Sequence, residues 1–211
     1  LYGLTRFSVD LDFDLFSSDL PAEASAQAGE ATQKLVYKKI GGMLVKHGEV
    51  KDQYIKHNTI FFLLSYGDAD HNVKVEVNVR ILMPDIKEHY EIKEYLGISM
   101  LAGKKDYLFA SKLAALTDRR LLAMRDIYDI WFFLKNGWPI NKNLVEKRTG
   151  HTFQQTLSKC IKKLEKITGS KILSGMGELL TSPQKDWAKA KLKLETLFLL
   201  KVKLDNEKRA K

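Results

Sequence analysis

In RFSVDLDFDLF, residues 6–16, Asp10, Asp12 and Asp14 alternate with Leu11, Phe13 and Leu15. Successive side chains on a strand point to opposite faces, so the carboxylates share one face and the apolar set, with Phe7 and Val9, the other. Like charges lined up on one face repel, and each raises its neighbour's pKa unless a cation compensates. A divalent ion resolves the conflict. Magnesium takes oxygen ligands, commonly one or two carboxylates completed by water and phosphate oxygens. An Asp-x-Asp pair about 7 Å apart along a strand suits one ion or two. Paired ions in phosphoryl-transfer sites activate the attacking oxygen and steady the leaving group. The same pattern also suits an edge strand whose aspartates deter aggregation, and this stretch alone leaves both readings open.

Other residues could join such a site. VKVEVNVRI, residues 73–81, sets Val73, Val75, Val77 and Val79 against Lys74, Glu76, Asn78 and Arg80. If this strand neighbours the first, Glu76 joins Asp10 and Asp12 on one surface. Further along, Lys112 and Arg119 are seven apart and share a helical face, as do Asp126 and Asp129, three apart. One unbroken helix would separate Lys112 from Asp126 by about 21 Å. A shared site therefore demands a bend between about Arg119 and Met124, where no glycine or proline stands. The alternative is a solvated lysine and a capping or ion-pair cluster.

RFSVDLDF resembles the Arg-x-Ser-x-Asp-x-Asp-Phe signature of minimal nucleotidyltransferases, specifically the AbiEii/AbiGii toxin family. KVEVN at 74–78 is similar to that family's second motif, KLAALTDR at 112–119 to its Lys-x-x-Ala-x-x-x-Arg helix, and RDIYDI at 125–130 to its Asp-x-x-Asp helix. The four stand in order across residues 6–130. Glu76 occupies a position where aspartate is common, and Lys104 one where glutamine is. The family's glycine-containing phosphate turn, about ten residues before the Asp-x-Asp, is expected either upstream of Leu1 or not at all.

The resemblance implies an α+β fold: a nucleotidyltransferase-like mixed sheet flanked by helices, followed by a C-terminal helical bundle. It implies Mg2+ (or Mn2+) on Asp10, Asp12 and Glu76, with a nucleoside triphosphate as substrate. Glu76 would also polarise the attacking hydroxyl. Lys112 would neutralise the triphosphate as pyrophosphate leaves, assisted by Arg119, with Ser8 and Asp129 also at the nucleotide. Asp126 would orient Lys112 or the acceptor, and Asp14 falls outside the pair. The acceptor is expected to be RNA, such as a tRNA 3′ end, and the protein a toxin of an abortive-infection or toxin–antitoxin system with a cognate antitoxin. The alternative is a catalytically inactive relative that binds RNA or protein through basic helices.

These residues need elements to hold them. The 211 residues, with one cysteine, Cys160, can bury a real core but form no intrachain disulfide, which fits a cytoplasmic location. No apolar run approaches a membrane span and no signal peptide is visible. The chain, opening at Leu1, reads as starting inside a folded unit. After the first strand, Ser17–Asp19 and Pro21 predict a helix running to about His47, with Gly29 and Gly41–Gly42 as interruptions. Residues 53–66 read as one buried strand, GDADHN (67–72) as a turn, 85–95 as a short helix after Pro84, and GISMLAG as a strand. Tyr107–Leu134 is helical, KNGWPIN stops it, and 142–204 is helical again. The expected domains are 1–105, nucleotidyltransferase-like, and 106–211, a helical bundle whose residues 106–134 contribute active-site helices.

Charge divides unevenly. Residues 1–134 hold 17 Lys and Arg against 19 Asp and Glu, a net of −2; residues 135–211 hold 18 against 7, a net of +11. Such a split points to a polyanion met by the second half, or to a lysine-rich solvated surface. Cys160 reads as packing, the five histidines form no metal-ligand pair, and there is no Walker A loop.

Overall fold

Alternation in the two stretches 6–16 and 73–81 becomes pairing in the computed structural model, which describes residues 2–8, 10–16, 30–57, 59–67, 72–79 and 86–209. Strand β1 (Asp10–Asp14) lies parallel to β4 (Asn72–Asn78). β4 runs antiparallel to β3 (Thr59–Ser65), which runs antiparallel to β2 (Glu49–Lys56), giving the order β1-β4-β3-β2. Helix α1 (Glu30–Leu44) covers one face, where Val36, Tyr37, Ile40 and Leu44 pack on Ile60, Phe62, Val75, Val77 and Val79. Gly41 does not break this helix. A Cβ there would come within 3.3 Å of the Phe62 ring, so the glycine lets helix and sheet approach closely. The expected N-cap at Ser17–Asp19, Pro21, Pro84 and most of the 67–72 turn lie outside the described residues.

Three expectations need correction. The apolar flank of β1 is not a buried face: Leu11 is 50% and Phe13 54% exposed, and among the described residues of this flank only Leu15 joins the core. β1 is an edge strand, and the α1-covered core ends at β4. The single strand expected over 53–66 is a hairpin of β2 and β3, because the chain reverses after Lys56, with His57 at positive φ. The short helix expected near 85–95 is a 3-10 turn (Ile86–His89) followed by strand β5 (Tyr90–Tyr95). β5 pairs with β6 (Ile98–Gly103) across Leu96-Gly97, both at positive φ, the geometry of a tight type I′ hairpin.

The chain divides into two compact units, Ser8–Glu88 and a second formed by Leu1–Phe7 with His89–Lys211. In the second, the β5–β6 hairpin is followed by α2 (Lys105–Asp118), α3 (Met124–Lys135), α4 (Lys142–Thr149) and α5 (Phe153–Glu165). Then come α6 (Ser182–Trp187), a π-helical stretch (Ala188–Leu192) and α7 (Lys193–Arg209). Residues 2–7 are laced onto these helices. Tyr2 donates to the Glu91 carboxylate, the Thr5 and Tyr128 hydroxyls bond at 2.8 Å, and Phe7 N–H donates to the Leu179 carbonyl. Among the described residues no helix is long and apolar enough to cross a membrane.

Candidate active site

In the Ser8–Glu88 unit, register decides what meets. Asp10 stands opposite Lys74, Asp12 opposite Glu76, and Asp14 opposite Asn78. Paired residues on adjacent strands are about 4.8 Å apart with side chains on one face, so this face carries a compact acidic group. Lys74 sits inside it, its ammonium 3.1 Å from Glu76 and 4.0 Å from Asp10. Asp14 accepts a 2.8 Å hydrogen bond from the Asn78 amide, which occupies it at the end of the strand. Ser8 is exposed, with its hydroxyl 3.4 Å from the Asp10 carbonyl. Among the described residues no three His, Cys, Asp or Glu side chains close into a ready cage for a metal. Lys74 accounts for this in part, since it draws Glu76 and Asp10 as a cation would. Lys74 matches the second motif, but its place between the carboxylates was not read from the sequence; period-2 alternation showed only its face.

In the other unit, Lys112 of α2 and Asp126 and Asp129 of α3 come together. The Lys112 ammonium lies 2.7 Å from Asp126 Oδ1 and 2.9 Å from Asp129 Oδ2. Arg119 pairs with Asp126, and Arg6 grips Asp129 through two bonds of 2.7 and 2.9 Å. The carboxylates are only 2% and 3% exposed, buried ions that persist because three cations surround them. Burial opposes the charge on Lys112, but the two aspartates outweigh it and hold its pKa above the usual lysine value.

This convergence needs the bend that spacing demanded, and the chain makes it without glycine or proline. α2 ends at Asp118, and Arg119 turns extended (φ −61°, ψ 131°). The helix end is finished from outside. Lys163 of α5 donates to the Thr117 carbonyl and, at 2.9 Å, to that of Arg119, satisfying acceptors that a helix C-terminus leaves open. α3 then begins at Met124, with Asp126 in its first turn, where an anion suits the helix dipole.

The basic helices hold two kinds of lysine. Some finish or brace the fold: Lys163 as above, Lys193 on the Glu165 carbonyl, and Lys142 and Lys203 on Glu207. Others line an open groove of about 600 Å³ between residues 151–162 and α7, where Lys159, Lys162, Lys208 and His151 gather beside Gln154. Among the described residues no carboxylate lines it. Cys160 is buried, and burial pushes its thiol up to about 11, so it packs rather than reacts.

The family model described as a nucleotidyl transferase AbiEii toxin of a type IV TA system matches residues 1–201. Two solved structures from Helicobacter pylori share the fold. One, a protein assigned as a candidate nucleotidyltransferase, superposes with a TM-score of 0.53 at 17% identity, over 100% of this chain and 84% of its own. The other, JHP933, gives 0.51 at 18% identity, over 99% and 82%. No protein of curated function matches.

Proposed function

The chain belongs to the AbiEii nucleotidyltransferase toxin family of type IV toxin–antitoxin systems, and on that premise we propose that it moves a nucleoside monophosphate from a nucleoside triphosphate to a hydroxyl of RNA. The observation that carries this reading is the parallel register of β1 and β4, which sets Asp10 and Asp12 beside Lys74 and Glu76 on one sheet face. The donor set fits magnesium or manganese: all are hard carboxylate oxygens, and a cation, Lys74, already lies among them. Asp10, Asp12 and Glu76 would hold the ion, which when bound supplies Lewis-acid stabilisation of phosphate charge.

The protein's own groups do the rest. Glu76 accepts the hydrogen bond of the attacking hydroxyl and orients it toward the α-phosphorus. Lys112 faces the β- and γ-phosphate oxygens; two of its three N–H groups are engaged by Asp126 and Asp129, and the third serves the departing pyrophosphate. Arg119, nearly half exposed, adds a second cation to those oxygens, and Ser8 contributes a hydroxyl. Asp126 and Asp129 orient Lys112.

The acceptor is read from the groove near α7. Lys159, Lys162 and Lys208 suit a phosphodiester backbone, which lysines hold without choosing sequence. Purified protein, α-labelled nucleoside triphosphates, magnesium and total tRNA should yield labelled tRNA. No transfer would contradict the reading; tRNA binding without transfer would favour an inactive, RNA-binding relative.

A further inference from the structure

Arg6 is 8% exposed, too enclosed to touch a nucleotide, yet it makes the most complete contact in the charged cluster. Its Nε donates to Asp129 Oδ1 at 2.7 Å, its Nη2 to Oδ2 at 2.9 Å, and its Nη1 to the Phe7 carbonyl at 2.8 Å. The backbone on either side is fixed: the Gln184 amide donates to the Thr5 carbonyl at 2.7 Å and Phe7 N–H to Leu179 at 2.9 Å. This matters for Lys112. Its ammonium lies between two carboxylates, and each is shared with one arginine, Asp126 with Arg119 and Asp129 with Arg6. Three cations against two anions leave a surplus of one positive charge for a phosphate. Without Arg6 the cluster is neutral, Asp129 has only Lys112 to satisfy it, and the ammonium is drawn toward the carboxylate.

We propose that Arg6 is a positioning residue for nucleotidyl transfer: by clamping Asp129 it fixes the Lys112 ammonium and preserves the positive surplus that meets the leaving pyrophosphate. This rests on the transfer reading above. Arg6 acts through Asp129, so its effect must depend on that carboxylate.

The test is a kinetic double-mutant cycle of Arg6→Gln and Asp129→Asn in the full chain, with folding checked by circular dichroism. Arg6→Gln should lower kcat about tenfold or more with the acceptor KM unchanged. In the Asp129→Asn background it should change kcat less than about twofold. Arg6→Lys, which keeps the charge without the fork, should recover part of the loss, and it keeps the test alive if Arg6→Gln does not fold. An equal factor in both backgrounds, or a loss that tracks only the folded fraction, overturns the proposal. If wild type transfers no label, the transfer reading fails by itself, and the cycle is read instead on calorimetric affinity for ATP with magnesium. There Arg6→Gln should weaken binding only when Asp129 is present; equal weakening, or no binding by wild type, overturns the clamp.

Discussion

Lys112 is charged because of its company. Burial disfavours the ammonium, and Asp129 and Asp126 more than restore it. A lysine whose folded pKa lies above its unfolded value contributes stability that is complete below the unfolded value, about 10.4, and is lost as pH rises through the folded one. The urea stability difference between wild type and Lys112→Met should therefore stay constant from neutral pH to about pH 9 and shrink above about pH 10.4. A difference that instead grows in alkali would show that the carboxylates do not hold this charge. At this scale, the sequence disclosed residue types and their spacing better than whom they touch. The types and spacing of Asp10, Asp12, Glu76, Lys112, Asp126 and Asp129 were readable. The roles of Arg6 and Lys74 were not, because Asp129 lies 123 residues beyond Arg6 and Lys74 meets Asp10 only through sheet register.

Elements reveal a second kind of limit. β1 and β4 were legible because alternation with period 2 is a local property, and α2 and α3 because their pattern is helical. The break between α2 and α3 was required by distance but unmarked by sequence, since what ends α2 is a lysine from α5, 46 residues beyond the Thr117 carbonyl it caps. The residues at 90–95 read as part of a short helix after Pro84; pairing with β6 across the Leu96-Gly97 turn makes them a strand. If Lys163 closes α2, then Lys163→Met should cost about 1–2 kcal/mol in urea denaturation. It should also lower nucleotidyl transfer, because the Lys112–Asp126 contact depends on the bend. Unchanged stability would mean the bend is fixed by the α2–α3 contacts alone.

For the whole molecule, the uneven charge resolves into parts. Several lysines of residues 135–211 finish helix ends or pair with Glu165 and Glu207, which composition could not distinguish from a binding surface. On the reading proposed above, those of the groove meet the polyanion. Lys159→Glu with Lys162→Glu should weaken tRNA binding and reduce the salt slope by roughly one to two units, as expected for two lost phosphate contacts. An unchanged slope would remove the groove from the account. The mixed sheet with flanking helices and a helical C-terminal region was legible from patterning and motif order; the packing that decides which lysines are structural was not.

The central claim is that the β1 carboxylates in register with β4 carry out the chemistry, and two neighbouring aspartates test it. Asp12 faces Glu76, whereas Asp14 is occupied by Asn78. Transfer of label from α-labelled nucleoside triphosphates to tRNA should vanish in Asp12→Asn and persist in Asp14→Asn, with both variants folded. Full transfer by Asp12→Asn would contradict the account.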